Sequence, residues 1–191
     1  ALTQTATIGG TEFTWQVSAD GFWQIHRNAP ETLANAAMEM LQLQPGEKVA
    51  DLYAGAGLFT APMALAVGAE GRVDSVEASP ITSADASVNF ADQPHVVVTK
   101  ALVDKFLKSG PKDWNAIILD PPRAGAGQKV VDALNQTKAD RICYVSCDPA
   151  SFARDAAALI ECGWELENTR VFDLYPNTHH LETVALFTRV P

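Results

Sequence analysis

At 191 residues, 47% hydrophobic and 19% charged, the chain is long enough for one well-buried domain and has the composition of an ordinary globular protein. Its 14 Lys and Arg against 23 Asp and Glu give a formal charge of −9 with no basic run, which argues against a protein that binds nucleic acid unaided. No apolar stretch approaches the roughly 18 residues of a membrane span.

The N-terminal Ala-Leu-Thr-Gln-Thr has neither a basic nor an apolar leader region, so no signal peptide is expected. It also lacks an initiator Met, and the chain is expected to be a fragment of something longer. Residues 5–17 read as a hairpin, with Gly9-Gly10 as the turn and Phe13 to Val17 alternating. An aromatic-rich loop, Gly21-Phe22-Trp23-Gln24-Ile25-His26, follows. Asn28 and Glu31 have capping-box spacing with Pro30 in the first turn, and Leu33, Ala37, Met40 and Leu41 then share one helical face up to Pro45-Gly46.

From Lys48 the pattern becomes a strand–helix alternation. Strands are predicted at Val49–Tyr53, Arg72–Glu77, His95–Thr99, Ala116–Asp120 and Arg141–Val145. Helices are predicted at Phe59–Val67, from the Ser79-Pro80 cap to about Asn89, around Leu102–Lys108, and at Gln128–Gln136. Asp148 and Pro149 open a last helix as N-cap and first helical residue, with Phe152, Ala156, Leu159 and Ile160 on one face and a stop at Gly163. Trp164–Asp173 and Thr183–Thr188 are closing strands with a short link, which points to an antiparallel end on an otherwise parallel sheet. The expected architecture is an N-terminal hairpin and helix appendage, 1–45, and a doubly wound, Rossmann-like α/β domain, 46–191.

Chemistry-bearing residues collect at the predicted strand ends. Asp51-Leu-Tyr53-Ala-Gly55-Ala-Gly57 ends the first strand of the alternation, where glycines let the backbone turn tightly and approach a ligand. Glu77 ends the next strand, about 20 residues beyond Gly55, a spacing that suits a carboxylate accepting from both ribose hydroxyls. Position 60 is Thr, so the third glycine of a dinucleotide-binding loop is missing, which fits S-adenosylmethionine better and disfavours a nicotinamide-dependent dehydrogenase. Asp120-Pro-Pro-Arg123 ends the fourth strand at the same sheet edge, in a loop that two prolines stiffen.

Cys147 lies between a strand end and a helix start. The positive helix end favours a thiolate there, and the neighbouring Asp148 opposes it. Read alone, Cys147 is more often a small buried hydrophobe, as most cysteines are, than a nucleophile. The other cysteines, 143 and 162, form no CxxC pair and no zinc spacing with any His, so a reducing, cytoplasmic setting and no metal are expected. His179, His180 and Glu182 lie before the last strand, where a Glu entering an apolar strand either reaches solvent or does chemistry, and solvent exposure is the more frequent outcome.

Taken in order, Phe22-Trp-Gln24-Ile, Asp51-Leu-Tyr-Ala-Gly55-Ala-Gly57, Val76-Glu77, Asp120-Pro-Pro-Arg123-Ala-Gly125, Ser146-Cys147-Asp-Pro149 and His180-Leu-Glu182 resemble the S-adenosylmethionine-dependent RNA 5-methyluridine (uracil-C5) methyltransferases. The resemblance runs from about residue 12 to the end, and its Ser-Cys-x-Pro and His-Leu-Glu segments are the specific ones. It implies a class I methyltransferase fold. By position it also implies a cofactor site of Gln24, Tyr53, Gly55, Glu77 and Asp120, a weaker match at Asn89, Cys147 as nucleophile and Glu182 as base. Asp120 is left between two roles, orienting the uracil edge or the cofactor.

The implied substrate is a uridine in tRNA or ribosomal RNA, unstacked to reach Cys147. Arg123 and Arg154 are candidates for phosphate contact, with a helix-paired Arg as the plainer reading. His26 stands where the family commonly has Asn, Ala54 where it often has Cys, and Asp148 where Asn is usual. The family's N-terminal RNA-binding region and the iron–sulfur cysteines of some members have no counterpart in this sequence, so RNA affinity is expected to need a segment outside it. Rival readings are an amino methyltransferase, whose Asp-Pro-Pro is followed by an aromatic where this chain has Arg123, and a non-catalytic cofactor- or RNA-binding module.

Overall fold

The computed structural model describes residues 1–175 and 181–189. Strands β1 (Leu2–Ile8) and β2 (Thr11–Val17) pair antiparallel around Gly9 and Gly10, both at positive φ as a tight hairpin turn requires. Helix α1 (Ala29–Leu41) follows. The alternation then runs through β3 (Lys48–Leu52), α2 (Thr60–Val67), β4 (Arg72–Glu77), α3 (Pro80–Asn89), β5 (Val96–Lys100) and α4 (Val103–Ser109). It ends with β6 (Ala116–Leu119), α5 (Gln128–Asn135), β7 (Arg141–Ser146), α6 (Pro149–Glu161), β8 (Trp164–Phe172) and β9 (Glu182–Arg189).

Seven strands form one sheet in the order β5-β4-β3-β6-β7-β9-β8. The first five are parallel, and β9 runs antiparallel to both β7 and β8. The chain order reverses between β3 and β6, and ligands of open α/β sheets bind at the carboxyl ends of strands beside such a switch. Strand alternation divides the core between the two faces. Cys143 and Val145 point with Val49, Ile118 and Val184 into a core shared by the hairpin, α1, α2 and α3. Ile142 and Tyr144 point with Leu52, Ile117 and Phe187 toward α4, α5 and α6. Among the described residues no helix is long and apolar enough to cross a membrane.

Three local expectations need correction. The Asn28–Glu31 capping box does not form: Asn28 is already helical (φ −94°, ψ −6°) and makes no side-chain cap bond. A cap side chain bonds the N–H two or three residues on, and the second of the helix's own residues, Pro30, has none. The helix also stops before Pro45-Gly46, because Gln42 turns left-handed and its N–H closes on the Met38 carbonyl. On α6 the buried stripe passes through Ser151, Asp155, Ala156 and Leu159 and leaves Ile160 51% exposed. An acid, Asp155, occupies the inward place there, because it meets the Tyr144 hydroxyl.

Candidate active site

The glycine loop is built from both sides. At the end of β3, Tyr53 takes a left-handed conformation (φ 65°) and the Ala54 N–H donates to the Val76 carbonyl of the next strand (3.0 Å). Gly57 sits at φ 98° with the Phe90 ring so close that an added Cβ would lie 2.2 Å from it. The buried Trp15 indole of the hairpin donates to the Gly57 carbonyl (3.0 Å). Asn89, the last residue of α3, donates to the carbonyls of Ala56 (3.0 Å) and Gln16 (3.1 Å) and accepts from the Gln16 N–H (2.8 Å). One turn earlier, Asp85 accepts from the Ser18 N–H (2.9 Å) and hydroxyl (2.6 Å), which fixes the start of the aromatic loop. Helix α3 therefore fastens the hairpin to the glycine loop. Asn89, a weak cofactor candidate in the sequence, spends its amide on that junction.

A pocket opens between the aromatic loop and the glycine loop. Phe22, Trp23 and Gln24 line it from one side and Tyr53, Ala54 and Gly55 from another, with Asp120 also in its wall. Four of the five expected cofactor residues thus share one pocket. The fifth, Glu77, is tied to it: its carboxylate accepts from the Gly55 N–H (2.9 Å) and the Ser79 N–H (2.6 Å). Each carboxylate oxygen keeps a second lone pair for another donor. Below the loop, fully buried Asp51 accepts from the Thr60 hydroxyl at 2.5 Å through Oδ2, while Oδ1 has no hydrogen-bond partner.

Cys147 and Glu182 meet at the same edge. Ser146 pairs with Thr183 across β7 and β9, so the residue after one and the residue before the other adjoin. Asp120 comes alongside because β6 and β7 run parallel with Leu119 opposite Tyr144. Burial pushes the Glu182 carboxyl up to about 7. Burial, then the charges of Glu182 and Asp51, push Asp120 to about 8. Asp51 is raised to about 7 by burial, against the Thr60 hydrogen bonds.

The thiol of Cys147 is half-buried and raised, first by burial and then by Glu182 and Asp120, while Arg123 and its own backbone N–H pull it down. The helix start alone therefore does not set the thiol, and the carboxylates that raise it arrive from β6 and β9. Tyr175 also feels Glu182 and Cys147, and its ring meets His26 edge-on at 6.0 Å. His179 and His180 lie outside the described residues.

Arg154 follows the plainer reading. Its guanidinium bonds Asp155 (2.9 and 3.0 Å) and the Ala124 carbonyl (2.7 Å), and so is spent within the protein. Trp15, Asp85 and Asp155 were not singled out in the sequence. For Asp155 a signal existed, since a charge lying among Phe152, Ala156 and Leu159 on an apolar helix face needs a buried partner.

Chemically, the arrangement combines a thiol, a carboxyl poised near neutral pH and a pocket walled by aromatic rings and carboxylates. The cofactor that the sequence resemblance implies is a nucleoside carrying a positive sulfonium, and the residues present fit it. Ring surfaces and a glycine loop suit the nucleoside, Glu77 has free lone pairs for ribose hydroxyls, and the partnerless Asp51 Oδ1 and the raised Asp120 favour a cation nearby.

Residues 105–190 match the family model for tRNA (uracil-5-)-methyltransferase, and residues 17–104 match that for protein-L-isoaspartate(D-aspartate) O-methyltransferase. The chain is 43% identical to an uncharacterized RNA methyltransferase of Bifidobacterium longum, over 98% of this chain and 45% of the relative. It is 37% identical to the 23S rRNA (uracil(1939)-C(5))-methyltransferase RlmD of Acinetobacter baumannii, over 88% of this chain and 37% of the relative. Among solved structures it resembles the tRNA (uracil-54, C5)-methyltransferase of Pyrococcus abyssi in complex with S-adenosyl-L-homocysteine. That match has a TM-score of 0.76 and 25% identity, and it covers 97% of this chain and 44% of the other. The chain thus spans less than half the length of these curated relatives.

Proposed function

Because the chain belongs to the RNA (uracil-5-)-methyltransferase family, we propose that it transfers a methyl group from S-adenosylmethionine to C5 of a uridine in tRNA or ribosomal RNA. The observation that carries this reading is the meeting of Cys147 and Glu182 across the β7–β9 register, at the edge that also holds the glycine loop and Asp120. The two matched models support a division of labour. The half shared with a methyltransferase of different acceptor carries the glycine loop and Glu77, and the other half carries Asp120, Cys147 and Glu182.

Gln24, Tyr53, Gly55, Glu77 and Asp120 form the cofactor side in this reading. Residues 1–45 act as an appendage that steadies it, and 46–191 form the methyltransferase domain. When bound, the cofactor supplies an electrophilic methyl on a positive sulfur. C5 of uracil is too poor a nucleophile to take it unaided. Cys147, as thiolate, adds to C6 and makes C5 enolate-like, dividing one hard step into two easier ones. C5 forms its bond to the methyl as the sulfur–methyl bond breaks, leaving a neutral thioether. Glu182 then removes the proton left on C5, and the C6–sulfur bond breaks to restore the thiolate. A carboxyl raised to about 7 is matched to that proton transfer.

The test is intact-mass analysis of the chain with S-adenosylmethionine and RNA containing 5-fluorouridine. Fluorine at C5 prevents proton removal, so a methylated covalent adduct is expected at Cys147. Methyl found on a nitrogen, or full turnover by Cys147→Ala, would overturn the reading.

A further inference from the structure

Between β6 and α5 the chain makes a turn, Asp120 to Gly127, whose second half has no secondary structure of its own to hold it. It is held instead from α6. Asp155 is 1% exposed, and its Oδ2 accepts from the N–H groups of Ala126 (2.7 Å) and Gly127 (3.2 Å) and from the Tyr144 hydroxyl (2.7 Å). Its Oδ1 accepts from Arg154, which in turn donates to the Ala124 carbonyl (2.7 Å). Within the turn, the Gly125 N–H closes on the Pro122 carbonyl (2.7 Å). Gly125 itself, at φ 81°, is packed so closely that an added Cβ would lie 2.5 Å from both the Arg154 guanidinium and the Asp155 carboxylate.

A buried carboxylate with this many donors costs heavily if they are lost, so the turn has one position rather than several. The other end of α6 business lies at its start: Pro149 opens the helix two residues after Cys147. The helix that carries Asp155 therefore begins beside the thiol, and both are referred to the same strand, β7: Cys147 directly follows it, and Asp155 meets its Tyr144.

Resting on the reading of Cys147 as nucleophile, we propose that Asp155 is a positioning residue: through the Ala126 and Gly127 N–H groups and Tyr144 it locks the Asp120–Gly127 turn to α6, and so fixes the backbone from which Arg123 reaches toward Cys147. Arg123 is exposed and has no hydrogen bond or ion pair among the described residues, so only the backbone of the turn limits the region its charge can reach. Asp120, by contrast, is anchored independently, since its N–H donates to the Leu52 carbonyl of β3 (3.2 Å). Freeing the turn therefore removes the cation and leaves the carboxylate. The groups that face the thiol are Glu182 from β9, Asp120 and Arg123 from this turn, and Tyr175 from the segment after β8, with Asp148 next to it in sequence. Of these charges Arg123 is the one that favours the thiolate.

The measurement is the pH dependence of iodoacetamide alkylation, read by peptide mass spectrometry at Cys147. Asp155→Asn keeps the volume but loses the charge, and Tyr144→Phe keeps the ring and removes one donor, so the second variant tests the lock if the first folds poorly. Arg123→Gln should move the alkylation midpoint upward. Asp155→Asn should move it the same way and, added to Arg123→Gln, move it no further. Tyr144→Phe should give a smaller shift of the same sign.

A variant that melts earlier yet alkylates Cys147 with the wild-type midpoint would reduce Asp155 to a structural acid and overturn the proposal. Additive shifts in the double variant would overturn the route through Arg123. Because alkylation needs neither RNA nor cofactor, failure of the methyltransferase reading would show separately, as absence of the 5-fluorouridine adduct in the unsubstituted chain.

Discussion

Gly57→Ala tests how the glycine loop is built. At φ 98° any side chain is strained, and leaving glycine there costs about 1–2 kcal/mol in backbone energy. The new methyl would also meet the Phe90 ring at 2.2 Å, and overpacking of that kind costs about 1–3 kcal/mol more. The combined loss of about 2–5 kcal/mol should appear in urea unfolding followed by tryptophan fluorescence. Gly55→Ala is the control: its φ of 57° carries the backbone cost, but nothing lies within 4 Å of the added Cβ, so about 1–2 kcal/mol is expected. Phe90→Leu in the Gly57→Ala background should return the steric part only, giving a coupling of about 1–3 kcal/mol in the cycle. Since the Gly57 carbonyl receives the Trp15 indole, calorimetry should also find S-adenosylhomocysteine bound at least about tenfold more weakly by Gly57→Ala. If Gly57→Ala and Gly55→Ala cost the same, the Phe90 contact does not define the loop, and the reasoning fails.

Trp15→Phe removes the indole donor from the Gly57 carbonyl, which keeps only the Ala61 N–H (3.2 Å); a loss of about 0.5–1.5 kcal/mol from that hydrogen bond is expected by denaturation, with weaker S-adenosylhomocysteine binding. Glu182→Gln should accumulate a covalent RNA adduct on denaturing gels, and turnover at the unsubstituted rate would remove Glu182 as the base. For the unsubstituted chain, the single-turnover rate should rise with pH through about 7, as Glu182 ionises, and continue rising as Cys147, whose thiol is also raised, becomes thiolate. Burial opposes ionisation of Asp155, but the Tyr144 hydroxyl, the Gly127 and Ala126 N–H groups and Arg154 outweigh it and hold its carboxyl below the usual range. Its contribution to stability is therefore present above the unfolded-state value of about 4 and lost as pH falls through the lower folded value; acid titrations of Asp155→Asn should lack that loss.

Much of the fold was legible because its signals are local. Runs such as Ala116–Leu119, buried at every position, and the Ser79-Pro80 and Asp148-Pro149 caps fix elements without reference to the rest of the chain. The strand-end residues were legible too, since a parallel sheet brings all carboxyl ends to one edge. What remained hidden depends on pairs far apart in sequence. Neither Trp15 nor Gly57 shows that the hairpin's indole will find that carbonyl, and neither Asn89 nor Gln16 shows that one amide will satisfy a strand and a loop together. The surroundings of the thiol are hidden for the same reason. Helix α6 and Asp148 are neighbours of Cys147 in sequence, whereas Glu182 and Asp120 reach it only through the β9 and β6 registers.

The buried acids impose a cost that a bound cation would relieve. Asp51, Asp120 and Glu182 are raised to about 7, 8 and 7. The native state thus keeps protons that the unfolded chain gives up from about pH 4, and these three groups favour folding less and less as pH rises toward 8. A sulfonium placed near them favours their charged forms, lowers their pKa values and expels protons. S-adenosylmethionine binding at pH 7 should therefore release protons, measurable as a dependence of the calorimetric enthalpy on the ionisation enthalpy of the buffer. S-adenosylhomocysteine has the same nucleoside and amino-acid parts without the sulfonium charge, so it should release fewer. The difference between the two ligands isolates the charge on sulfur from every contact they share, and Asp120→Asn should shrink it. Equal proton release by both ligands would mean that the carboxylates do not sense the methyl donor's charge, and would overturn the reasoning.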